Sequence, residues 1–440
     1  MKDKSLFQLS FPLLLNALVG MVVMLVDMMI ISSYSEDAAA AVSIANQILL
    51  VAFDLSALLA AGAVVMVSRS LGADDPEEAK RMAEAAMVGN AFVSLALGAI
   101  ILLTATHLLS AINCPEKIFV DATTYLRVGA FTILFNGVMM AATSTLRGYG
   151  ETRIILFLGV IAYAVYLLSA YCMIFGKGPL PELGVFGSAL ATLIVRASAV
   201  IALLFVFARK LKLIPAFWRH TLVEQKLRIK KLFDLSWPGA FDNLAYGFYQ
   251  MILVSYIATF SVAMLLSRTF TLTLTAVLTV VLMSISQANE VMVGYRHGGN
   301  RPKEINPCIF RSSLISTLLT TAFAILLYLF AGPLISLFTD QPRIHELAKQ
   351  LLWLTIFVQP FSAVNTILFH SLKTMGDVVV PVAGTQIMMW CLSVPVAYYL
   401  AVKMQLGVVG LWYVLIMEEA LKAAFLLIRW RYRPASPAEA

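Results

Sequence analysis

Charge is what this chain has least of. Only 13% of its 440 residues are Asp, Glu, Lys or Arg, against 60% hydrophobic, and the mean hydropathy is +0.86. Soluble domains carry about 25% charged residues, so a globular enzyme with a water-facing surface is excluded. Cysteine is scarce as well: Cys114, Cys172, Cys308 and Cys391 are dispersed and imply no disulfide framework. There is no P-loop, nucleophile elbow or HExxH, which removes ATP-driven export and the common hydrolase chemistries. The few histidines fall at or near the ends of apolar runs or in loops, so neither a metal site nor a cofactor is expected. Short alternating segments of the β-barrel kind are missing. The opening "MKDKSLFQLSFPLLL" starts basic, as a signal peptide does. Its apolar run is too long, however, and no A-x-A site follows, so it reads as a first, uncleaved helix.

What the chain does have is long apolar runs. A membrane span needs about 20 mostly apolar residues. Twelve segments qualify: 7–33, 44–68, 85–112, 123–145, 152–176, 185–208, 234–259, 263–294, 309–338, 347–371, 378–402 and 407–430. The fold class is therefore all-α, a polytopic membrane protein with twelve transmembrane helices. With the N-terminus inside, cytoplasmic segments hold 23 Lys and Arg and outer segments 7. That bias predicts both termini cytoplasmic in an inner, plasma-type membrane. The net charge of +7 is then mostly a topology signal. No nucleic-acid module accompanies it, so the expected partners are the bilayer and a small molecule.

The chain also repeats itself. "FQLSFP" (7–12) returns as "FDLSWP" (233–238), "VMVSRSLG" (65–72) as "VMVGYRHG" (291–298) and "LRGYGE" (146–151) as "LKTMGD" (372–377), always 226 residues on. "GVFG" (184–187) and "GVVG" (407–410) follow at 223. One offset held over such a length implies two six-helix lobes of the same orientation, 1–208 and 232–440, joined by a basic linker at 209–231. The linker reads either as an amphipathic helix on the anionic inner leaflet or as a solvated charged loop. Parallel repeats of this kind place substrate near the midplane, as alternating-access transporters do.

In this setting the motifs resemble the MATE family, multidrug and toxic compound extrusion antiporters, over nearly the whole chain. The carriers are "LVDMMIIS", "VVMVSRSLGADDPEEAKR", "TLRGYGETR", "WPGAFDNLAYG" and "SQANEVMVGYRHGGNRPKEI". Each is a weak pattern alone, but their order, spacing and repetition are specific. The resemblance implies export of amphipathic or cationic organic compounds against entry of H⁺ or Na⁺. It also implies a cation site at the acid of the first span, here Asp27.

Intramembrane charges are costly and usually face a cavity or the bundle interior. Asp27 lies ~22 Å along its helix from Pro12, in the outer half. A carboxylate there can take up and release a proton. Asp54 and Arg196 fall at a similar depth, either as a fixed pair or as partners that exchange when a proton binds; the three form the expected cation-coupling group. The second lobe carries Leu253 and Val280 where the first has Asp27 and Asp54, and places its acids elsewhere. Asp242, at a helix position where family members often carry an acid, is the expected contact for cationic drugs. Glu290 is a second substrate candidate, or a helix-end cap. Glu418 and Lys422 are spaced for an intrahelical ion pair, which leaves Glu419 without a partner. Tyr163, Tyr166, Tyr246 and Met139 are candidate cavity-lining groups, since aromatic faces attract organic cations and Met repacks. Many family members complete a Na⁺ site with asparagines in the fifth span. Here "ILFLGVIAYAVYLLSAYCMIFG" offers tyrosines instead, which favours H⁺. The transporter is expected to be a monomer. The readings that compete are an exporter dedicated to one metabolite, a lipid-linked flippase and an intramembrane enzyme. The flippase would favour fourteen spans and a basic cavity.

Overall fold

The structure is a computed structural model that describes residues 4–177, 181–211, 222–258 and 260–433. Every regular element among them is helical. In hydrocarbon each backbone N–H and C=O must find its partner within the chain, and a helix satisfies them locally. The first half contains α1 (Leu6–Tyr34), α2 (Glu36–Ser56), α3 (Ala60–Gly72), α4 (Pro76–Ala111), α5 (Glu116–Gly148), α6 (Thr152–Phe175) and α7 (Gly184–Val206). The second contains α8 (Leu222–Ala258), α9 (Val262–Gly298), α10 (Pro302–Leu329), the short α11 (Ala331–Ser336), α12 (Pro342–Thr374), α13 (Val379–Ile387), α14 (Val394–Ala397) and α15 (Gly407–Arg431). Among the described residues these make twelve spans. α2 and α3 share one, and π-helical turns at Met388–Ser393 and Tyr398–Lys403 join α13 and α14 in another. Ten spans are long and apolar enough to cross a membrane by composition alone. The other two, α8 and α15, are diluted by Asp242, Asn243 and Gln250 and by Glu418, Glu419 and Lys422.

The repeat is written into the backbone. Several left-handed residues pair 226 apart, Asp74 (φ 56°) with Asn300 (φ 52°) and Gly150 (φ 72°) with Gly376 (φ 89°). Gly184 (φ 53°) and Gly407 (φ 55°) are 223 apart. These are helix-end positions where Gly, Asn or Asp is tolerated and a branched side chain is not. The N-caps repeat too: the Ser35 hydroxyl accepts from Ala38 N–H and Ser261 from Met264 N–H. α4 begins at Pro76, well before the apolar run at 85. Asp75 caps it (2.9 Å from Glu78 N) and Pro76 suits the first helical position.

One asymmetry concerns the second span. α2 and α3 are separated at 57–59, whereas α9 runs unbroken through the corresponding residues. Two asparagines bond the break. Leu59 N–H donates to Asn90 Oδ1 (2.9 Å), and Asn136 Nδ2 donates to Ser56 Oγ (2.8 Å) and Phe53 O (3.2 Å). Their counterparts in the second half are Ser316 and Ser362, too short to reach across.

The chain divides into two compact units, one built on Phe11–Trp237 and one from Pro238 on. In the first, Leu49, Leu126, Ile133 and Ala170 form one buried cluster, and Met82, Ala83, Leu146, Phe207 and Leu232 another. In the second, Tyr249, Ile257, Leu351, Met389 and Trp412 are central. α1 and α6 are the least buried spans of the first unit, with 11% of each apolar window buried. Residues 212–221 of the expected linker lie outside the described residues. The rest of it, from Leu222, is helical and continuous with α8. Leu232 is fully buried in the first unit, and Arg228 bonds Glu78 (3.3 Å).

Candidate functional site

Asp27 is half-buried on α1. Its Oδ1 accepts a hydrogen bond from the Tyr166 hydroxyl on α6 (2.8 Å). The two helices approach where side chains vanish: a Cβ on Gly20 would meet the Tyr163 hydroxyl (2.8 Å), and one on Gly159 would run into Asn16 Oδ1. Tyr125 on α5 is buried, with Asn46 and Ser188 within reach of its hydroxyl. Arg196 on α7 lies in the electrostatic range of all three tyrosines, Tyr125, Tyr163 and Tyr166. Its guanidinium covers the Phe53 ring (4.0 Å) and donates to Asn136 Oδ1 (2.9 Å). Arg196 is thus tied to the break in the second span. Asp54, by contrast, is exposed on α2, and among the described residues no ion pair joins it to Arg196. Tyr166 of α6 and Asp27 are brought together; Asp54 stays apart from them.

The second unit holds a denser polar group. Asp242 on α8 accepts from Gln386 Nε2 (2.7 Å), whose Oε1 accepts from Trp390 Nε1 (2.9 Å). Glu418 on α15 accepts from both Tyr249 and Lys422, so the ion pair expected from the i, i+4 spacing is formed. Glu419 is not left alone as the spacing argument had it: Asn365 Nδ2 on α12 donates to its Oε2 (2.9 Å). Lys422 lies within electrostatic range of Asp242, Glu418 and Glu419, which makes three acids around one ammonium. Tyr246, 47% exposed, accepts from Gln250, which in turn takes a bond from Arg268 (2.6 Å). Glu290 lies elsewhere, paired with Lys373 (3.0 Å) with both side chains buried. Met139 packs in the cluster around Phe207 and Leu232. No group of three or more His, Cys, Asp or Glu among the described residues is arranged to hold a metal ion.

The two lobes use one pair of positions with opposite sign. At the offset of 223, Arg196 corresponds to Glu419; at 226, Asn136 corresponds to Ser362. Arg196 donates to Asn136, and Ser362 lies within hydrogen-bond reach of Glu419. Residue counting finds this match only once Arg196 is stepped forward as well as the acids.

The sequence model of the MatE family matches this chain twice, over residues 12–172 and 238–399. The two matches begin 226 residues apart, the interval of the repeat. The chain belongs to the MatE family. Its relatives include the uncharacterized transporter YisQ of Bacillus subtilis, 28% identical over 432 residues that cover 98% of this chain and 95% of that one. They also include the probable multidrug resistance protein NorM of Thermotoga maritima, 24% identical over 98% of this chain and 93% of that protein. The solved Vibrio cholerae MATE transporter VcmN in its bent form superposes with a TM-score of 0.88 at 18% identity, covering 97% and 95% of the two chains. That likeness shows the two-lobed fold. As a MatE protein the chain is a multi-pass membrane transporter, not an enzyme.

The bond from Tyr166 to Asp27 links two loosely packed helices, so its loss has a local signature. A neutral donor on an ionised acceptor contributes about 1.5–3 kcal/mol. Tyr166→Phe is expected to speed backbone hydrogen exchange in α1 and leave α3 to α5 unchanged. Unaltered exchange in α1 would mean that this bond does not hold the helix.

Proposed function

We propose that this MatE transporter exports amphipathic organic cations by antiport with protons, from a cytoplasmic membrane in which both termini face inward. The observation that carries the reading is the Asp27–Tyr166 bond between α1 and α6. A hydrogen bond to a charged group is roughly twice as strong as a neutral one. Ionised Asp27 therefore holds α1 against α6, and a proton on Asp27 weakens that hold. α1 then repacks, which biases access from one side of the membrane to the other. The donor set supports H⁺ over Na⁺. Asp27 has one carboxylate and phenolic neighbours, whereas hard cations such as Ca²⁺ and Mg²⁺ gather about six or more oxygens.

Substrate charge is read in the second lobe. Asp242, Glu418 and Glu419 outnumber Lys422, and the exposed Tyr246 ring offers a face for an organic cation. Glu290 is bound to Lys373 and takes the structural role in this reading.

The test is a sealed proteoliposome with the membrane potential clamped and ethidium, a permanently charged organic cation, outside. An interior-acid pH gradient without Na⁺ is expected to drive ethidium inward above equilibrium, and a Na⁺ gradient at constant pH is not. Drive by Na⁺ alone would overturn the choice of ion. Drive by neither would overturn antiport.

A further inference from the structure

In the second lobe a groove of about 760 Å³ runs between α10, α12 and α15. Ile309 and Leu368 form its buried floor. Its walls are Phe310, Leu314 and Leu427, which are 71%, 47% and 52% exposed. One end is different. There Trp430 Nε1 donates to Asn306 Oδ1 (3.0 Å), the Arg433 guanidinium covers the Trp430 ring (3.8 Å), and Arg431 completes the lining. Among the described residues, no carboxylate lines it.

The internal repeat shows how the first lobe treats the same place. Stepping back 226 residues on α10 and α12 and 223 on α15 turns Ile309, Ser313, Leu368, Leu427 and Trp430 into Ala83, Met87, Ala142, Leu204 and Phe207. Those five pack in one cluster with Ile229 and Leu232 from the first turns of α8. The counterpart of Phe310 is Glu84, only 8% exposed. An amphipathic helix thus fills the first groove, apolar face inward, with Arg228 paired to Glu78 beside it.

What this groove offers an occupant is an apolar trough that ends in two guanidinium groups. The trough follows α10 for about 16 Å, along a membrane-spanning segment, and the arginines stand at the end of α15 where headgroups lie. Arg forms forked bonds to phosphate, and basic pockets between spans at the membrane surface bind anionic headgroups. Trp at this level is the usual interfacial anchor. We propose that this groove is a binding site for an anionic phospholipid, its phosphate on Arg431 and Arg433 and an acyl chain along Phe310, Leu314 and Leu427.

Trp430 reports occupancy directly. The full chain is reconstituted in phosphatidylcholine vesicles containing a minor fraction of brominated phosphatidylglycerol or, in parallel, brominated phosphatidylcholine. The Trp430 signal is taken as wild type minus Trp430→Phe. Brominated phosphatidylglycerol is expected to be preferred by about fivefold for each arginine, given the usual attraction of an anionic lipid to a surface cation. The preference should vanish in Arg431→Gln/Arg433→Gln and survive in Arg431→Lys/Arg433→Lys, which keeps the charge. Equal quenching by both lipids would mean that another occupant, the chain's own tail or a second copy, covers the groove, and would overturn the proposal. So would a preference that persists in the glutamine variant.

Discussion

Asp27→Asn is expected to abolish gradient-driven accumulation of ethidium while leaving ethidium exchange across the membrane intact. The substitution is nearly isosteric. The Tyr166 hydroxyl, 2.8 Å from Asp27 Oδ1, can still donate to the amide oxygen, so α1 keeps its neighbour. What disappears is the alternation between charged and neutral forms. The transporter then has only the weak, neutral version of the bond and cannot use a proton to change it. Coupling free energies between two sites are typically about 1–3 kcal/mol, or roughly 5–150-fold in affinity, and the loss of accumulation should reach that upper range. Counterflow, in which labelled ethidium enters against unlabelled ethidium without any gradient, needs the access switch but no proton. It should persist. Loss of both activities together would instead identify Asp27 as a residue needed for the fold or for the switch itself.

Lys422→Met is expected to be the most destabilising single change in the second lobe. Glu418 and Lys422 are 1% and 8% exposed, and Tyr249, also 1% exposed, donates to the same carboxylate. Removing one partner of a buried pair leaves a charge without compensation and costs about 3–5 kcal/mol. Glu419 and Asp242 add to the effect, because Lys422 is the ammonium they share. The measurement is thermal unfolding of the detergent-solubilised protein. The double variant Glu418→Gln/Lys422→Met should recover most of the loss, since both ends of the pair are then neutral. A single variant as stable as the wild type would show that the pair contributes nothing to the lobe.

Much of the architecture could be read from residue order. Hydropathy located the spans because a bilayer demands long apolar helices, and a constant offset exposed the two halves because each half must bury the same faces. Asp27 was conspicuous for a related reason: a carboxylate in such a run needs a function or a partner. Other features were hidden by physics that sequence does not display. Nothing in "FDLSALLAAG" announces a helix break, since no Pro or Gly stands at 57–59. The break is bonded by Asn90 and Asn136, distant in the chain. The early turns of α8 carry charges that suggested a membrane surface or a solvated loop, and only the packing of Ile229 and Leu232 shows where their apolar face goes. Glu419 seemed unpartnered because spacing describes neighbours on one helix, whereas Asn365 comes from another. Asp54 and Arg196 share a depth, but depth says nothing about which way a side chain faces.

In the proposed antiport Asp27 is the group that exchanges its proton against substrate, and one measurement tests this without vesicles or gradients. Purified protein in weakly buffered detergent solution, titrated with ethidium in the presence of a pH indicator, should release close to one proton for each ethidium bound, and Asp27→Asn should bind ethidium and release none. Proton release of equal size from the asparagine variant would contradict the assignment and move the exchange to another carboxylate.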